Sequence, residues 1–286
     1  MTATVGILIF FVVQVVSADV TITEHLVARG SGPSNEWNRT IKIKGSKMRI
    51  ESQHEKETYV TIYDLESGQE MILQPKHKVA SVFGLAEETA KLERTRKLVK
   101  SSIQPTGKAK QVLGMNCDEY KYDVQIPDEQ HLYAGHLIAT VKQDSGTLCI
   151  APDAIGRKDF SEFAHQSKDR GYLLGSISGQ NRIQTDTALF LLIDSLDGVV
   201  LEHTSKNEVG GGSGVGLYGT VMSWERFATV TRVTAESLSD DEFRVPDGWK
   251  IRKDRTIGLS VPVYFRSKKD ERPPIRPRSS STMLTN

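Results

Sequence analysis

Thr40-Ile41-Lys42-Ile43-Lys44-Gly45-Ser46-Lys47-Met48-Arg49-Ile50 alternates apolar and cationic side chains on either side of a Gly-Ser pair. Strict alternation marks a half-buried strand, and a two-residue turn containing glycine is the shortest link between antiparallel strands. Such a turn sets Ile43 opposite Met48 and Ile41 opposite Ile50, which gathers the apolar side chains on one face. Lys42, Lys44, Lys47 and Arg49 then share the other face. Like charges across the pair are mildly destabilising there unless they reach water or meet acidic neighbours. The stretch therefore predicts a one-sided hairpin in an antiparallel sheet.

The alternation continues on the C-terminal side. Tyr59-Val60-Thr61-Ile62-Tyr63, Met71-Ile72-Leu73 and Val79-Ala80-Ser81-Val82-Phe83 are strand-like, and the turn-rich breaks at 64–68 and 75–78 are short enough for a meander. Over 84–103 the period changes. Leu85, Leu92, Val99 and Ile103 fall on one side of a helix, with Glu87 and Glu88 early and Lys97 and Lys100 late, as the helix dipole prefers. Strands are expected again at 117–124, 136–141 and 146–150, helices at 159–172 and 185–196, and final strands at 199–205, 217–224 and 228–235. Residues 209–216, Val-Gly-Gly-Gly-Ser-Gly-Val-Gly, read as a flexible loop. They are no phosphate loop, because no Gly-Lys-Ser/Thr follows and a strand comes next.

The two ends of the chain differ from this middle. Residues 5–16 are an almost unbroken apolar run ending in Val16-Ser17-Ala18, the pattern of a secretory signal peptide cut between Ala18 and Asp19, although no Lys or Arg precedes the run. About twelve apolar residues fall short of the roughly twenty that span a bilayer. The expected mature chain is thus exported, to a periplasmic or extracellular setting. A net charge of +1, with 38% hydrophobic and 26% charged residues, fits a soluble globular chain and gives no reason to expect nucleic acid as partner. Residues 250–278 nevertheless hold ten basic residues against three acidic ones, and from 266 onward the chain is basic and rich in Pro and Ser. That composition predicts a disordered tail suited to an anionic envelope surface. The expected organisation is a signal peptide at 1–18, a single domain at 19–265 and a basic tail at 266–286.

Cys117 and Cys149 are the only cysteines. If their strands form one long hairpin, its midpoint falls at residue 133 and the two sulfurs face one another. Export favours their oxidation to a disulfide; the alternative is two buried thiols. The seven histidines form no His-x-x-x-His pair and the cysteines no Cys-x-x-Cys, so no metal site and no cofactor is predicted. Gly211-Gly212-Ser213-Gly214-Val215 lacks the last glycine and the strand-turn-helix setting of a nucleophile elbow. No catalytic residue is predicted. Asn38-Arg39-Thr40 matches a glycosylation sequon.

Five pieces carry a resemblance: residues 41–51, the 62–73 hairpin with its Pro75-Lys76-His77-Lys78 turn, Gly114-Met115-Asn116-Cys117-Asp118-Glu119-Tyr120, Gly146-Thr147-Leu148-Cys149-Ile150-Ala151, and Phe243-Arg244-Val245-Pro246-Asp247-Gly248-Trp249. In order and spacing they resemble exported bacterial proteins of unknown function allied to the LolA and LolB lipoprotein carriers. The chain departs from LolA in its longer middle helices, its Gly-rich loop and its basic tail. The resemblance implies an α+β fold, a curved antiparallel sheet forming a half-open β-barrel closed by helices. It also implies a non-enzymatic protein that binds an apolar or amphipathic, lipid-like ligand between sheet and helices. Ile41, Ile43, Met48, Ile50, Tyr59 and Tyr63 would line that site. The same side chains would equally serve as solid core against the 84–103 helix, and the protein would then be an envelope scaffold or interaction protein. A hydrolase would need a polar constellation converging in a cleft.

Overall fold

A computed structural model describes residues 19–30, 34–54, 57–86, 100–127, 131–133, 136–138, 140–169, 196–211 and 222–252. Its strands are β1 (Asp19–Arg29), β2 (Asn35–Lys44), β3 (Lys47–His54), β4 (Glu57–Asp64), β5 (Gln69–Gln74), β6 (Val79–Gly84), β7 (Lys100–Val112), β8 (Met115–Pro127), β9 (His131–Tyr133), β10 (His136–Ile138), β11 (Thr140–Ala151), β12 (Val199–Gly211), β13 (Met222–Glu236) and β14 (Lys250–Arg252); the helix α1 spans Arg157–Asp169. Twelve strands form one large, open, curved sheet in the order β14-β6-β5-β4-β3-β2-β1-β13-β12-β11-β8-β7, and β9 and β10 pair separately. Only β14 joins the large sheet in parallel.

The opening stretch folds as its alternation requires. Ile41 lies opposite Ile50 and Ile43 opposite Met48, and Gly45, with φ +54°, makes the left-handed turn that a side chain would resist. The meander from β4 to β6 follows in antiparallel register. At its first turn the Asp64 carboxylate accepts from the backbone N–H groups of Glu66 and Ser67, at 3.0 and 3.1 Å. The four cations of the hairpin do meet acidic neighbours: Lys42 pairs with Glu242, Lys44 with Asp240, Lys47 with Asp64 and Arg49 with Glu51.

Glu242 and Asp240 belong to residues 238–249, which cross the cationic face as a loop containing one short 3-10 helix, Asp240–Phe243, capped by Ser239. Lys44 donates to the Leu238 carbonyl at 2.6 Å and Arg49 to the Glu242 carbonyl at 2.9 Å. Leu238 and Phe243 enter a cluster with Val60, Ile62, Met71, Leu73 and Ala80, against which Trp249 packs. The opposite face of β1 and β2 is covered by α1, whose Phe163 is fully buried. Gly156, just ahead of α1, has φ +80°, and a Cβ there would stand 2.2 Å from Val20 Cγ2, so the chain approaches β1 as only glycine permits. Closure by several α-helices is not what the described residues show: one α-helix covers one face, and a loop with a single 3-10 turn the other.

The structure corrects other expectations. The helix expected over 84–103 does not extend to its end, because Lys100–Val112 is strand β7 and Ile103 pairs with Tyr122. A single apolar residue per turn of sequence is compatible with either period, and pairing with β8 decides it. Residues 87–99, with Leu92 and Val99, lie outside the described residues, as do 1–18, the tail from 253, most of the 185–196 helix and residues 212–221. Val209, Gly210 and Gly211 are not loop but the end of β12, paired with β11. Among the described residues, the strands expected separately up to 224 and at 228–235 run together as β13, Met222–Glu236. The apolar pattern breaks at Glu225-Arg226, yet the strand runs through because Arg226 is itself turned inward.

Cys117 and Cys149 form a disulfide with Cα atoms 5.3 Å apart. The register differs by two residues from the symmetric hairpin: Cys149 lies opposite Glu119, not Cys117. A two-residue offset leaves side-chain direction unchanged, so the sulfurs still meet diagonally across the pair.

Candidate functional site

β1 carries the site. Val20, Ile22, Glu24, Leu26 and Ala28 alternate onto one of its faces, and the partners opposite each extend rows across the sheet. Ile22 continues into Ile41, Ile50 and Thr61, and Val20 into Ile43, Met48 and Tyr63. Ile41, Ile43, Met48, Ile50 and Tyr63 are at most 4% exposed and share one cluster with Leu65, Leu85 and Phe163. The structure thus brings five of the six sequence-predicted residues together as packed side chains. Tyr59 stands apart. It lies two residues along β4 from Thr61, opposite Ser52, and is half-buried. Its hydroxyl donates to Glu57 at 2.5 Å. That bond first, and Lys76 second, hold the Glu57 carboxyl below the usual carboxylate range.

Further along β1 the rows turn polar. Glu24 lies opposite Arg39, whose Nε donates to Glu24 Oε2 at 2.6 Å. Ala28 is level with Arg226, Arg226 with Ser205, Ser205 with Gly146, and Gly146 with Tyr122. Asn207 and Asp144 pair one row beyond, His203 and Leu148 one row before. Asp144, Ser205, Asn207 and Arg226 are each at least 95% buried. Burying polar groups costs several kcal/mol unless hydrogen bonds replace water, and Asp144, Ser205 and Asn207 have such bonds. The Tyr122 hydroxyl donates to Asp144 Oδ1 at 2.9 Å and stands 2.8 Å from His203 Nε2. Asn207 donates to Ser205 Oγ at 2.9 Å.

Tyr122 sits on β8 and His203 on β12, with β11 between them. At position 146 a Cβ would stand 1.8 Å from the Thr204 carbonyl oxygen, so β11 approaches the β12 backbone there as only glycine permits.

Sequence reasoning did not find these residues. The available signal was parity: Arg226 occupies the same alternation as Trp224 and Ala228, where an apolar residue is expected in a covered strand.

A groove of about 860 Å³ opens beside α1, bordered by Asp153, Arg157, Asp159, Glu162, His165 and Asp197. Arg157 pairs with Asp197 across it. None of the six predicted residues borders it, and charged side chains ring a lining that also includes Pro152, Ala154 and Gly156. Among the described residues no three His, Cys, Asp or Glu side chains are placed to hold a metal ion.

The fold defines a class, a large open antiparallel sheet with an amphipathic face, and solved structures of similar shape include a LolA superfamily protein. No protein-family model matches the chain, and no curated protein matches it. An uncharacterized conserved protein from Thermus thermophilus is similar over 83% of this chain and 91% of its own, at 8% identity and a TM-score of 0.39. The LolA superfamily protein, from Nitrosomonas europaea, is similar over 80% of this chain and 91% of its own, at 6% identity and a TM-score of 0.28. A DUF1329 family protein from Desulfovibrio piger is similar over the same shares, at 10% identity and a TM-score of 0.27. At TM-scores below 0.5 no functional conclusion passes from these proteins to this chain.

Proposed function

We propose that the protein is an exported, non-enzymatic binding protein for an apolar or amphipathic, lipid-like ligand held against the α1-covered face of the sheet. The observation that carries this reading is the continuity of that face: apolar rows through Ile22, Ile41 and Ile50 run along β1 into polar rows at Glu24 and Arg226. An amphipathic molecule matches such a surface at both ends. Bonded, buried polar side chains beside an apolar stripe are the usual lining of a small-molecule site. The buried disulfide is consistent with an oxidising compartment. Residues 1–18 act as the signal, 19–265 as the binding domain, and 266–286 as a basic tail toward anionic envelope surfaces.

The packing of the apolar rows favours a second reading, an envelope scaffold with a solid interior, since Ile43, Leu65 and Phe163 have no exposed surface. On the first reading a ligand gains access by parting α1 from the sheet. Displacement of a fluorescent fatty acid from delipidated protein separates the two, with Met48→Trp as a space-filling control. Saturable displacement that Met48→Trp abolishes supports the carrier; a folded protein without saturable binding leaves the scaffold. N-terminal sequencing of the exported chain tests cleavage after Ala18.

A further inference from the structure

A lipid-binding face leaves the sequon Asn38-Arg39-Thr40 of β2 without a use. We infer that Asn38 is an N-glycosylation site, and that Glu36, Asn38 and Thr40 together form the face by which β2 is presented to the transferring enzyme. This inference rests on the export part of the reading above, is independent of any ligand, and adds to it a covalent modification.

Three observations lead there. The first is parity. A sequon pairs the asparagine with a hydroxyl two residues on, and in a strand every second side chain points the same way. β2 therefore lines up the Glu36 carboxylate, the Asn38 amide and the Thr40 hydroxyl, while Arg39 turns to the other face and is bonded to Glu24. An anion two residues before the amide and a hydroxyl two residues after it give an enzyme two polar anchors at a fixed spacing about the reacting nitrogen.

The second is exposure. Asn38 is exposed and lies in a polar row with Thr229, His25 and Gln53, of which Thr229 and Gln53 are exposed as well. The 238–249 segment covers the same side of β2 at its other end, where Lys42 and Lys44 bond to Glu242 and Asp240. A bulky, hydrated glycan suits such an open polar surface.

The third is which atom of Asn38 is engaged. His25 Nδ1 donates to Asn38 Oδ1 at 3.2 Å, and His25 Nε2 stands 3.8 Å from Glu36. The bond uses the amide oxygen. Glycosylation replaces a hydrogen on Nδ2 and leaves that oxygen an acceptor, so the folded contact survives the modification.

The donor is a sugar carried on a lipid diphosphate. A bond forms between Asn38 Nδ2 and the anomeric carbon, the bond from that carbon to the phosphate oxygen breaks, the lipid diphosphate leaves with the bonding pair, and an amide proton passes to a base of the enzyme. Once folded, β2 is paired on both sides, so transfer precedes pairing, during export.

The test uses the protein purified from its own host, with the N-terminal sequence and the fragmentation spectrum of the tryptic peptide 30–39 read from the same sample. The expected result is a chain beginning at Asp19 whose 30–39 peptide is heavier than its sequence by a whole number of sugar residues, carried on Asn38. Asn38→Gln and Thr40→Val are expected to abolish the added mass and Thr40→Ser to keep it, and peptides report this whether or not a variant folds. Glu36→Gln is expected to lower occupancy at least about tenfold, the scale of one charge-assisted contact; undiminished occupancy overturns the part given to Glu36. An exported chain beginning at Asp19 with peptide 30–39 at its unmodified mass overturns the glycosylation site and leaves export standing. Intact Met1 in the cytosol overturns both.

Discussion

The β2–β4 region and the β8–β11–β12–β13 region contribute to the same sheet face and are buried to the same degree, yet they fill that face with opposite chemistry. In the first, Ile41, Ile43, Met48, Ile50 and Tyr63 are packed as an apolar cluster, and the charges are on the other side, bonded to the 238–249 segment. In the second, Tyr122, Asp144, Ser205, Asn207 and Arg226 point inward. Burial of an apolar side chain contributes about 1.5–3 kcal/mol, whereas a buried hydrogen-bonded polar group contributes little net and costs heavily once its partner is removed. The difference teaches that the apolar region contributes most to holding the fold together, whereas the polar region adds little net stability and depends on each buried group keeping its partner.

The sharpest way to break that contrast is to open the clip between β8 and β11. Cys117→Ser with Cys149→Ser is expected to lower the unfolding free energy by roughly 3 to 4 kcal/mol, from a closed loop of about 33 residues in the chain-entropy model. Hydrogen exchange on the double variant should show protection lost first in β8 and β11 and last in β2 to β4. The reverse order would place the weak region elsewhere. Within the apolar region, Ile43→Ala is expected to cost about 2–5 kcal/mol in urea denaturation. A loss well under 1 kcal/mol would mean that this cluster is loosely filled and would favour the carrier reading.

In the polar region, Tyr122→Phe removes the hydroxyl that bridges β8 to Asp144 and His203. The expected loss is about 1–3 kcal/mol, because a buried carboxylate loses a donor while the ring still fills its place. If the variant is as stable as the wild type, the bond is dispensable and the network is not what keeps these side chains inward.

The smallest effect is expected at the exposed Lys44–Asp240 pair. The hydrogen bond from Lys44 holds the Asp240 carboxyl below its ordinary range, and the same bond raises Lys44. A depressed carboxyl contributes stability above the ordinary aspartate pKa of about 4, and that contribution is lost as the pH falls through the lower folded value. The raised lysine contributes below its ordinary pKa of about 10.4, and its share is lost as the pH rises through the higher folded value. Lys44→Ala should therefore reduce stability between these limits and converge with the wild type under strong acid, with the difference shrinking in high salt.

Much of the apolar region was legible in the chain itself. Alternation around Gly45-Ser46 dictates which side chains of β2 and β3 face one another, because strand direction and side-chain parity are local properties fixed by a two-residue turn. Parity also sufficed for the disulfide: an offset of two residues left Cys117 and Cys149 within bonding reach. The LolA resemblance anticipated the open curved sheet. What tertiary structure alone decided is where local patterns are ambiguous or broken. Residues 100–103 became strand because β8 offered a partner. The segment carrying Glu242 covered the cationic face because Lys42 and Lys44 drew its acids and Val60, Ile62 and Leu73 its Phe243. Arg226 turned inward because β13 runs unbroken between β1 and β12, so its parity is imposed by two neighbouring strands rather than by its own polarity. Alternation within a segment is written in the sequence; which face is covered, and what a charged residue meets there, depends on strands brought together from distant parts of the chain.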